Sequence, residues 1–142
     1  MRAGTENVAA IVGMAAALKN NVEQMAENKE HLLQLEHELL DLLKQSHLEF
    51  VRNGEKQLPG NLSLSFNGAN GEALLHRLDL MGIIVSTGSA CDSVNNQVSH
   101  VLRAISLAPE YAEGTIRISL ASSNTVEDVR KIASAIIKIL SK

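Results

Sequence analysis

Apolar side chains recur at steps of three and four residues through the first third of the chain. The stripe comprises Val8, Ile11, Val12, Ala15, Leu18, Val22 and Met25, and resumes with Leu32, Leu35, Leu39 and Leu42. This period predicts an amphipathic helix from residue 6 to about residue 45. Thr5 is the predicted N-cap, with Glu6 just inside the positive end of the helix dipole. Gly13 and the pair Asn20-Asn21 leave open whether this is one bent helix or two.

The remaining two thirds of the chain alternate between short strand patterns and helical patterns. Strands are predicted over residues 48–51, 62–66, 83–85 and 116–120, where the apolar residues alternate with polar ones or form a short run. Helices are predicted over residues 72–81, 98–105 and 126–140, the last opened by the capping-box pattern Thr125-x-x-Asp128. Residues 1–142 are therefore expected to form a single α+β domain. A small mixed or antiparallel sheet would be covered by helices, one of them long and N-terminal.

Composition excludes several classes of function. The formal net charge is −3 and the chain has two Phe, one Tyr and no Trp, so it has neither the basic footprint nor the stacking platforms of a nucleic-acid-binding protein. No apolar run approaches the roughly 20 residues that cross a membrane. No paired Cys/His spacing indicates a metal site. A single cysteine is typical of a protein kept in a reducing cytosol, so a cytoplasmic location is expected.

The only cysteine lies in a segment of small residues that follows the apolar run 83–85. The segment reads Ser86-Thr87-Gly88-Ser89-Ala90-Cys91. A lone cysteine is more often a small buried apolar side chain than a nucleophile. A thiol in a loop at the end of a strand is accessible, and access together with thiolate character decides its reactivity. Cys91 is therefore the candidate nucleophile.

Three separated groups of residues together resemble a known family. They are Arg2-Ala3-Gly4-Thr5-Glu6-Asn7 at the start, the cysteine segment followed by Ser99-His100-Val101-Leu102-Arg103-Ala104, and Ile116-Arg117-Ile118-Ser119-Leu120 with Asn124-Thr125-Val126-Glu127-Asp128. In this order and spacing they resemble the C-terminal part of cysteine desulfurases of the NifS/IscS type, which are pyridoxal-phosphate enzymes of the class V aminotransferase fold. The resemblance covers nearly the whole chain. It implies the small domain of a pyridoxal-phosphate enzyme of fold type I.

The resemblance implies a role for three residues. Cys91 matches the nucleophile that takes sulfur from L-cysteine as a persulfide and passes it to an acceptor protein, for iron–sulfur cluster assembly or another sulfur-transfer pathway. Arg117 matches the arginine that binds the substrate carboxylate, although without the resemblance it would be interpreted as a solvent-facing charge in a strand. Thr5 matches a threonine that reaches the cofactor phosphate of the neighbouring subunit, although it is interpreted equally well as a helix cap.

The chain also departs from the family pattern. The family's Schiff-base lysine belongs to a large N-terminal domain, and no part of this sequence matches that domain. Residues 92–97 differ from the family's usual pattern after the cysteine. The sequence is thus expected to be a fragment, a truncated product or half of a split enzyme. Alone, it is expected to bind no pyridoxal phosphate and to be inactive.

Two alternatives remain beside the desulfurase reading. One is a non-catalytic interaction module that associates through its long first helix. The other is the small domain of a related class V enzyme, such as a selenocysteine lyase. A homo-oligomer is expected for this chain, with residues 8–25 as the leading interface segment, because their apolar stripe is longer than a small sheet can cover. A separate large-domain chain is the other expected partner.

Overall fold

The computed structural model describes residues 4–87 and 99–141 of the chain. Within these residues, five helices and three strands follow one another in the order α1 (Val8–Gln45), β1 (Phe50–Arg52), β2 (Asn61–Phe66), α2 (Gly71–Asp79), α3 (His100–Ala104), α4 (Pro109–Ala112), β3 (Thr115–Ser119) and α5 (Val126–Leu140). The strands form one antiparallel sheet in the order β1-β2-β3. The α+β class, the small sheet and the long first helix are therefore as predicted.

Helix α1 is one continuous helix of 38 residues, so Gly13 and Asn20-Asn21 do not divide it. Its N-cap is Asn7, and the prediction of Thr5 was wrong. The side-chain oxygen of Asn7 accepts a hydrogen bond from the backbone N–H of Ala10 at 3.1 Å. Asparagine caps a helix at least as well as threonine, and Asn7 lies closer than Thr5 to the first apolar residue of the helix. Asn7 therefore serves as the cap.

Only the C-terminal third of α1 belongs to the core. Its buried residues are Leu35, Glu36, Leu39 and Leu43, and α5 packs beside it. The large apolar side chains of the N-terminal half are between 50% and 69% exposed: Val8, Ile11, Val12, Met14, Leu18, Val22 and Met25. We call these seven side chains the α1 stripe. Within residues 4–87 and 99–141, no helix is long and apolar enough to cross a membrane.

The sheet has one apolar face and one polar face. Leu62 and Leu64 of β2 pair with Ile118 and Ile116 of β3, and all four are buried in the core with α1 and α5. The alternate residues of the same strands point to the opposite face, since successive side chains of a strand alternate. On that face lie Ser63 and Ser65 of β2 beside Arg117 and Thr115 of β3. The face opposite the core is therefore polar, and of these four residues only Arg117 is exposed.

Residues 83–85 do not form the predicted strand. The backbone N–H of Ile83 donates to Leu78 O and so finishes the end of α2, and Ile84 is 88% exposed. The apolar run reaches the sheet only at its next residue, where Ser86 makes an isolated antiparallel bridge to Arg117. The sheet therefore has three strands in the part of the chain that the structure describes.

The predicted capping box of α5 is confirmed, and it is expected to make the stability of the fold depend on pH. The backbone N–H and then the hydroxyl of Thr125 donate to Asp128, and these bonds lower the pKa of the Asp128 carboxyl below its ordinary 3.8. A carboxyl with a lowered folded-state pKa stabilises the fold above its unfolded pKa, and this stabilisation is lost as the pH falls through the folded pKa. We expect urea unfolding to show Asp128→Asn less stable than the wild type at pH 6. The difference should shrink from about pH 4 downward, and a difference independent of pH would contradict the assignment.

Candidate functional site

Arg117 lies in the middle of β3 on the polar face of the sheet. Its neighbours Ile116 and Ile118 are buried, whereas Arg117 is exposed. The alternation of the strand therefore turns the guanidinium away from the core, as the sequence predicts. Among the residues described, that guanidinium has neither an ion-pair partner nor a hydrogen-bond partner. Its planar donors remain free to bind an anion in a two-pronged arrangement.

The backbone of Arg117 holds the start of the cysteine segment. The N–H of Ser86 donates to Arg117 O at 3.0 Å, and the N–H of Arg117 donates to Ser86 O at 2.6 Å. Cys91 itself lies outside the described residues. The structure thus places the first residue of the cysteine segment directly beside the candidate carboxylate-binding residue.

Arg117 belongs to a row of polar residues that crosses the sheet. Ser63 of β2 pairs with Arg117, and on the other edge of β2 the N–H of Asn53 donates to Ser63 O at 2.9 Å. On the other edge of β3, Ser86 bridges to Arg117. Asn53, Ser63, Arg117 and Ser86 are therefore neighbours, and cross-strand neighbours share one face. We call this set the polar row.

A buried hydrogen-bond network lies beside the polar row on the same face of the sheet. The Nδ2 of Asn53 donates to Ser63 Oγ at 3.0 Å and to Ser65 Oγ at 2.7 Å. The hydroxyls of Ser65 and Thr115 are 2.6 Å apart, and Thr115 Oγ1 donates to Ala112 O at 2.9 Å. Asn53, Ser65 and Thr115 are all more than nine-tenths buried. These hydrogen bonds link Asn53, which follows β1, to β2, β3 and α4.

Sequence reasoning missed Asn53 and Ser63 as members of the site. Asn53-Gly54 reads as a turn, and Gly54 does adopt the positive φ of +84° that such a turn requires. The alternation in residues 62–66 places Ser63 on the outer face but does not show its partner. The pairing with Arg117 joins residues 54 positions apart, which no local pattern reveals.

Thr5 is not brought together with Arg117. It is exposed and precedes α1, whose first buried residue is Leu35. At 1.5 Å per residue, about 40 Å of helix separates Val8 from Leu35. Of the three predicted site residues, the structure therefore describes two, and it places them at opposite ends of the domain.

The described residues fit pyridoxal phosphate only in part. Thr5 precedes the start of α1, and a helix N-terminus suits a phosphate, but the backbone N–H groups of Val8 and Ala10 already donate to Glu6 O and Asn7 Oδ1. The cofactor also needs a lysine amine, but neither the three strands nor Ser86-Thr87 contains a lysine. The polar face around Arg117 thus supplies no Schiff-base group. Residues 4–87 and 99–141 hold no cluster of His, Cys, Asp and Glu that would bind a metal ion.

Glu36 and Arg52 form an ion pair on the opposite, helix-covered side of the sheet. The Arg52 guanidinium lies 2.7 Å from the Glu36 carboxylate, which is buried and also accepts the backbone N–H of Gly60. Because both carboxylate oxygens already have donors, the burial of this charge is compensated. The pair joins α1 to β1 and takes no part in the polar row.

Comparisons with known proteins agree with the resemblance seen in the sequence. The sequence model of the Aminotransferase class-V family matches residues 1–132. The "Cysteine desulfurase IscS" of Clostridium botulinum (strain Hall) is 42% identical over 143 residues, which cover 98% of this chain and 36% of that protein. The "Cysteine desulfurase IscS 1" of Archaeoglobus fulgidus is 39% identical over 133 residues, covering 93% of this chain and 35% of the relative.

Solved structures give the same result for the fold. A NifS-like protein matches with a TM-score of 0.81 and 36% identity, covering 99% of this chain and 35% of that protein. The NifS-like protein of Rickettsia africae also matches with a TM-score of 0.81, at 32% identity, covering 99% of this chain and 37% of the other. The chain spans about a third of the length of the curated relatives that it matches.

Proposed function

Because this chain belongs to the aminotransferase class-V family, we propose that it is the small domain of a cysteine desulfurase. The observation that carries the proposal is the pair of backbone hydrogen bonds between Ser86 and Arg117. The residue proposed to bind the substrate carboxylate is thereby joined to the start of the segment that holds the proposed nucleophile. Five residues span at most about 18 Å, so Cys91 stays within that distance of Ser86.

Arg117 and Cys91 would perform separate parts of the reaction. The guanidinium of Arg117 binds the carboxylate of L-cysteine and orients the substrate. The thiolate of Cys91 then attacks the substrate's sulfur, so that a sulfur–sulfur bond forms while the substrate's carbon–sulfur bond breaks. The persulfide left on Cys91 passes its outer sulfur to an acceptor protein for iron–sulfur cluster assembly or another sulfur-transfer pathway. The substrate's carbon skeleton keeps the electron pair of the broken bond and leaves as alanine after it gains a proton. Pyridoxal phosphate, when bound, would supply the electron sink for this cleavage.

The rest of the proposed enzyme would come from a large domain. That domain would provide the Schiff-base lysine, and the α1 stripe is the surface proposed to contact it, either within one longer chain or between two chains. Thr5 would contact the cofactor phosphate of the neighbouring subunit in the assembled enzyme. We place the reaction in the cytoplasm, because a single cysteine suits a reducing compartment.

Reconstitution tests this proposal. The chain is mixed or co-expressed with the large domain of a desulfurase relative, and sulfide release from L-cysteine is measured with added pyridoxal phosphate and an excess of a reducing thiol, which frees the outer sulfur of the persulfide as sulfide. We expect turnover only when both parts are present, no turnover with Cys91→Ser, and a KM raised at least about tenfold with Arg117→Lys, because lysine cannot reproduce the two-pronged contact. Ser119→Ala, an exposed change on the same strand, should leave the rate unchanged.

Two results would contradict the proposal. Sulfide release by the chain alone, above the free-cofactor background and lost in Cys91→Ser, would show that no large domain is needed. Full activity of the Cys91→Ser mixture would remove Cys91 as the nucleophile. L-selenocysteine is assayed in parallel, because a preference for it would identify the small domain of a selenocysteine lyase.

A second candidate function is a non-catalytic interaction module. The observation that favours it is the α1 stripe, since exposed apolar patches of this extent mark association sites. In that case the chain would form oligomers and would not restore desulfurase activity to any large domain.

A further inference from the structure

The direction of each hydrogen bond in the buried network beside the polar row follows from the available donors and acceptors. The hydroxyl of Thr115 donates its hydrogen to the backbone carbonyl oxygens of Ala112, at 2.9 Å, and Tyr111, at 3.3 Å. Thr115 Oγ1 must therefore accept the hydrogen of Ser65, which lies 2.6 Å away. Because Ser65 donates its only hydroxyl hydrogen to Thr115, Ser65 Oγ can only accept a hydrogen bond from its other neighbours.

The orientation of the Asn53 amide follows from this chain of donors. An acceptor at Ser65 requires a donor at 2.7 Å, so the NH₂ group of Asn53, and not its oxygen, faces the two serines. The second hydrogen of that group then points to Ser63 Oγ at 3.0 Å. The opposite atom, Asn53 Oδ1, is buried with no hydrogen-bond partner among the described residues. The network therefore retains this orientation although it leaves one buried acceptor unsatisfied.

These hydrogen bonds leave the hydroxyl hydrogen of Ser63 available for donation on the polar face of the sheet. Its oxygen accepts from Asn53, and its own hydrogen has no acceptor in the described part of the chain. Ser63 is half-buried and is the direct cross-strand neighbour of Arg117. Side chains of such a pair have Cβ atoms about 5 Å apart, so one small anion can contact both.

We propose that Ser63 donates a hydrogen bond to the carboxylate that Arg117 binds, and that Asn53 is the positioning residue that aims it. The inference rests on the proposed role of Arg117. A carboxylate offers about four acceptor positions, of which a guanidinium occupies two, so a third donor adds to the contact. Ser63 and Arg117 together recognise the carboxylate group of the ligand.

Titration of the 142-residue chain by nuclear magnetic resonance tests the inference without cofactor or turnover. The probe is L-alanine, which has the carboxylate and ammonium of the substrate class and lacks a thiol. Alaninol, which lacks the carboxylate, is the ligand control. We expect carboxylate-dependent shifts at β2 and β3, loss of binding in Arg117→Gln, and binding roughly fivefold weaker in Ser63→Ala.

Matched variants separate the hydroxyl from packing. Ser63→Thr keeps the hydroxyl and is expected to retain wild-type affinity, and Ser119→Ala removes an exposed hydroxyl of β3 outside the network and should change nothing. Asn53→Ala should weaken binding about as much as Ser63→Ala, because the hydroxyl is no longer aimed.

The failures of the two proposals are distinguishable. If Arg117→Gln loses binding while Ser63→Ala binds L-alanine like the wild type, the role of Ser63 is overturned and the carboxylate site stands. Equal losses in Ser63→Ala and Ser63→Thr would also overturn it, since they would indicate packing. Wild-type affinity in Asn53→Ala would remove Asn53 as the positioning residue. No carboxylate-dependent shift in the wild type, or an unchanged affinity in Arg117→Gln, would refute both the site at Arg117 and the inference.

Discussion

Replacement of Gly114 by alanine is expected to destabilise the domain by about 3 kcal/mol, which corresponds to a loss of roughly 10 °C in Tm. A Cβ atom at this position would overlap the backbone carbonyl oxygen of Phe66 and lie 3.0 Å from the Cβ of Ala69. Neither backbone is free to move away, because the N–H of Phe66 donates to Gly114 O at 3.2 Å and the N–H of Gly114 donates to Tyr111 O at 3.1 Å. Thermal unfolding followed by circular dichroism measures the change.

Gly68→Ala is the matched control for this clash. Gly68 has a positive φ of +64° but no atom within 4 Å of an added Cβ, so only the conformational penalty of about 1 kcal/mol applies. Equal losses of Tm in the two variants would contradict the assignment of steric overlap to Gly114. The contrast separates close backbone approach from backbone conformation at two nearby glycines.

The close approach at Gly114 also serves the candidate site. It draws the end of α4 and the start of β3 against the end of β2, and the next residue, Thr115, thereby pairs with Ser65. The network that aims Ser63 depends on this contact. Stability and the proposed recognition of a carboxylate thus share one packing feature, and Gly114→Ala is expected to perturb both.

The parts of the fold that were predicted correctly are those whose signals are local. Helix α5 occupies the predicted residues 126–140 because its apolar period and its capping box, Thr125 with Asp128, are contained in one segment. Strand β2 begins one residue before the predicted span, since its alternation is uninterrupted. The outward orientation of Arg117 followed from the same alternation in β3.

The errors arose where tertiary contacts decide between similar local signals. Residues 83–85 are as apolar as a strand, but the backbone of Ile83 closes α2 and only Ser86 pairs with the sheet. Strand β1 begins at Phe50, two residues after its predicted start. Before it, α1 ends at Gln45 with Ser46 as its C-cap, and His47 adopts a positive φ of +61°, so the chain needs residues 48 and 49 to turn back toward the sheet.

The candidate site was predicted only in part for the same reason. Motif resemblance singled out Arg117, Thr5 and Cys91 one by one, and alternation gave the face of Arg117. The contribution of Asn53 and Ser63 depends on the register between β1, β2 and β3, which joins residues far apart in sequence. Register is set by the packing of the apolar face against helices, and a single sequence does not display it.

The chain alone is expected to self-associate through the α1 stripe. Replacing two side chains of that stripe by glutamate is expected to make the chain a monomer. Val8, Val22, Ile11, Leu18 and Met25 of the stripe, together with Ala15, occupy the alternating positions of a seven-residue repeat, which suits a two-helix seam. Seven apolar side chains that each bury roughly 60–120 Å² give on the order of 1,200 Å² for two copies, the lower range of a stable interface. Light scattering across a dilution series should therefore show a dimer that dissociates in the micromolar range.

The double variant Leu18→Glu/Met25→Glu should raise the dissociation constant at least about a hundredfold, because each carboxylate would enter the seam without a partner. Ala9→Glu/Ala16→Glu is the matched control. It adds the same two charges to the same helix on the side away from the stripe, and it should remain a dimer. Dissociation of both double variants would attribute the effect to net charge and not to the seam. A wild-type chain that is monomeric at every concentration would show that exposure of the α1 stripe does not drive pairing, and the large domain would then be its only proposed partner.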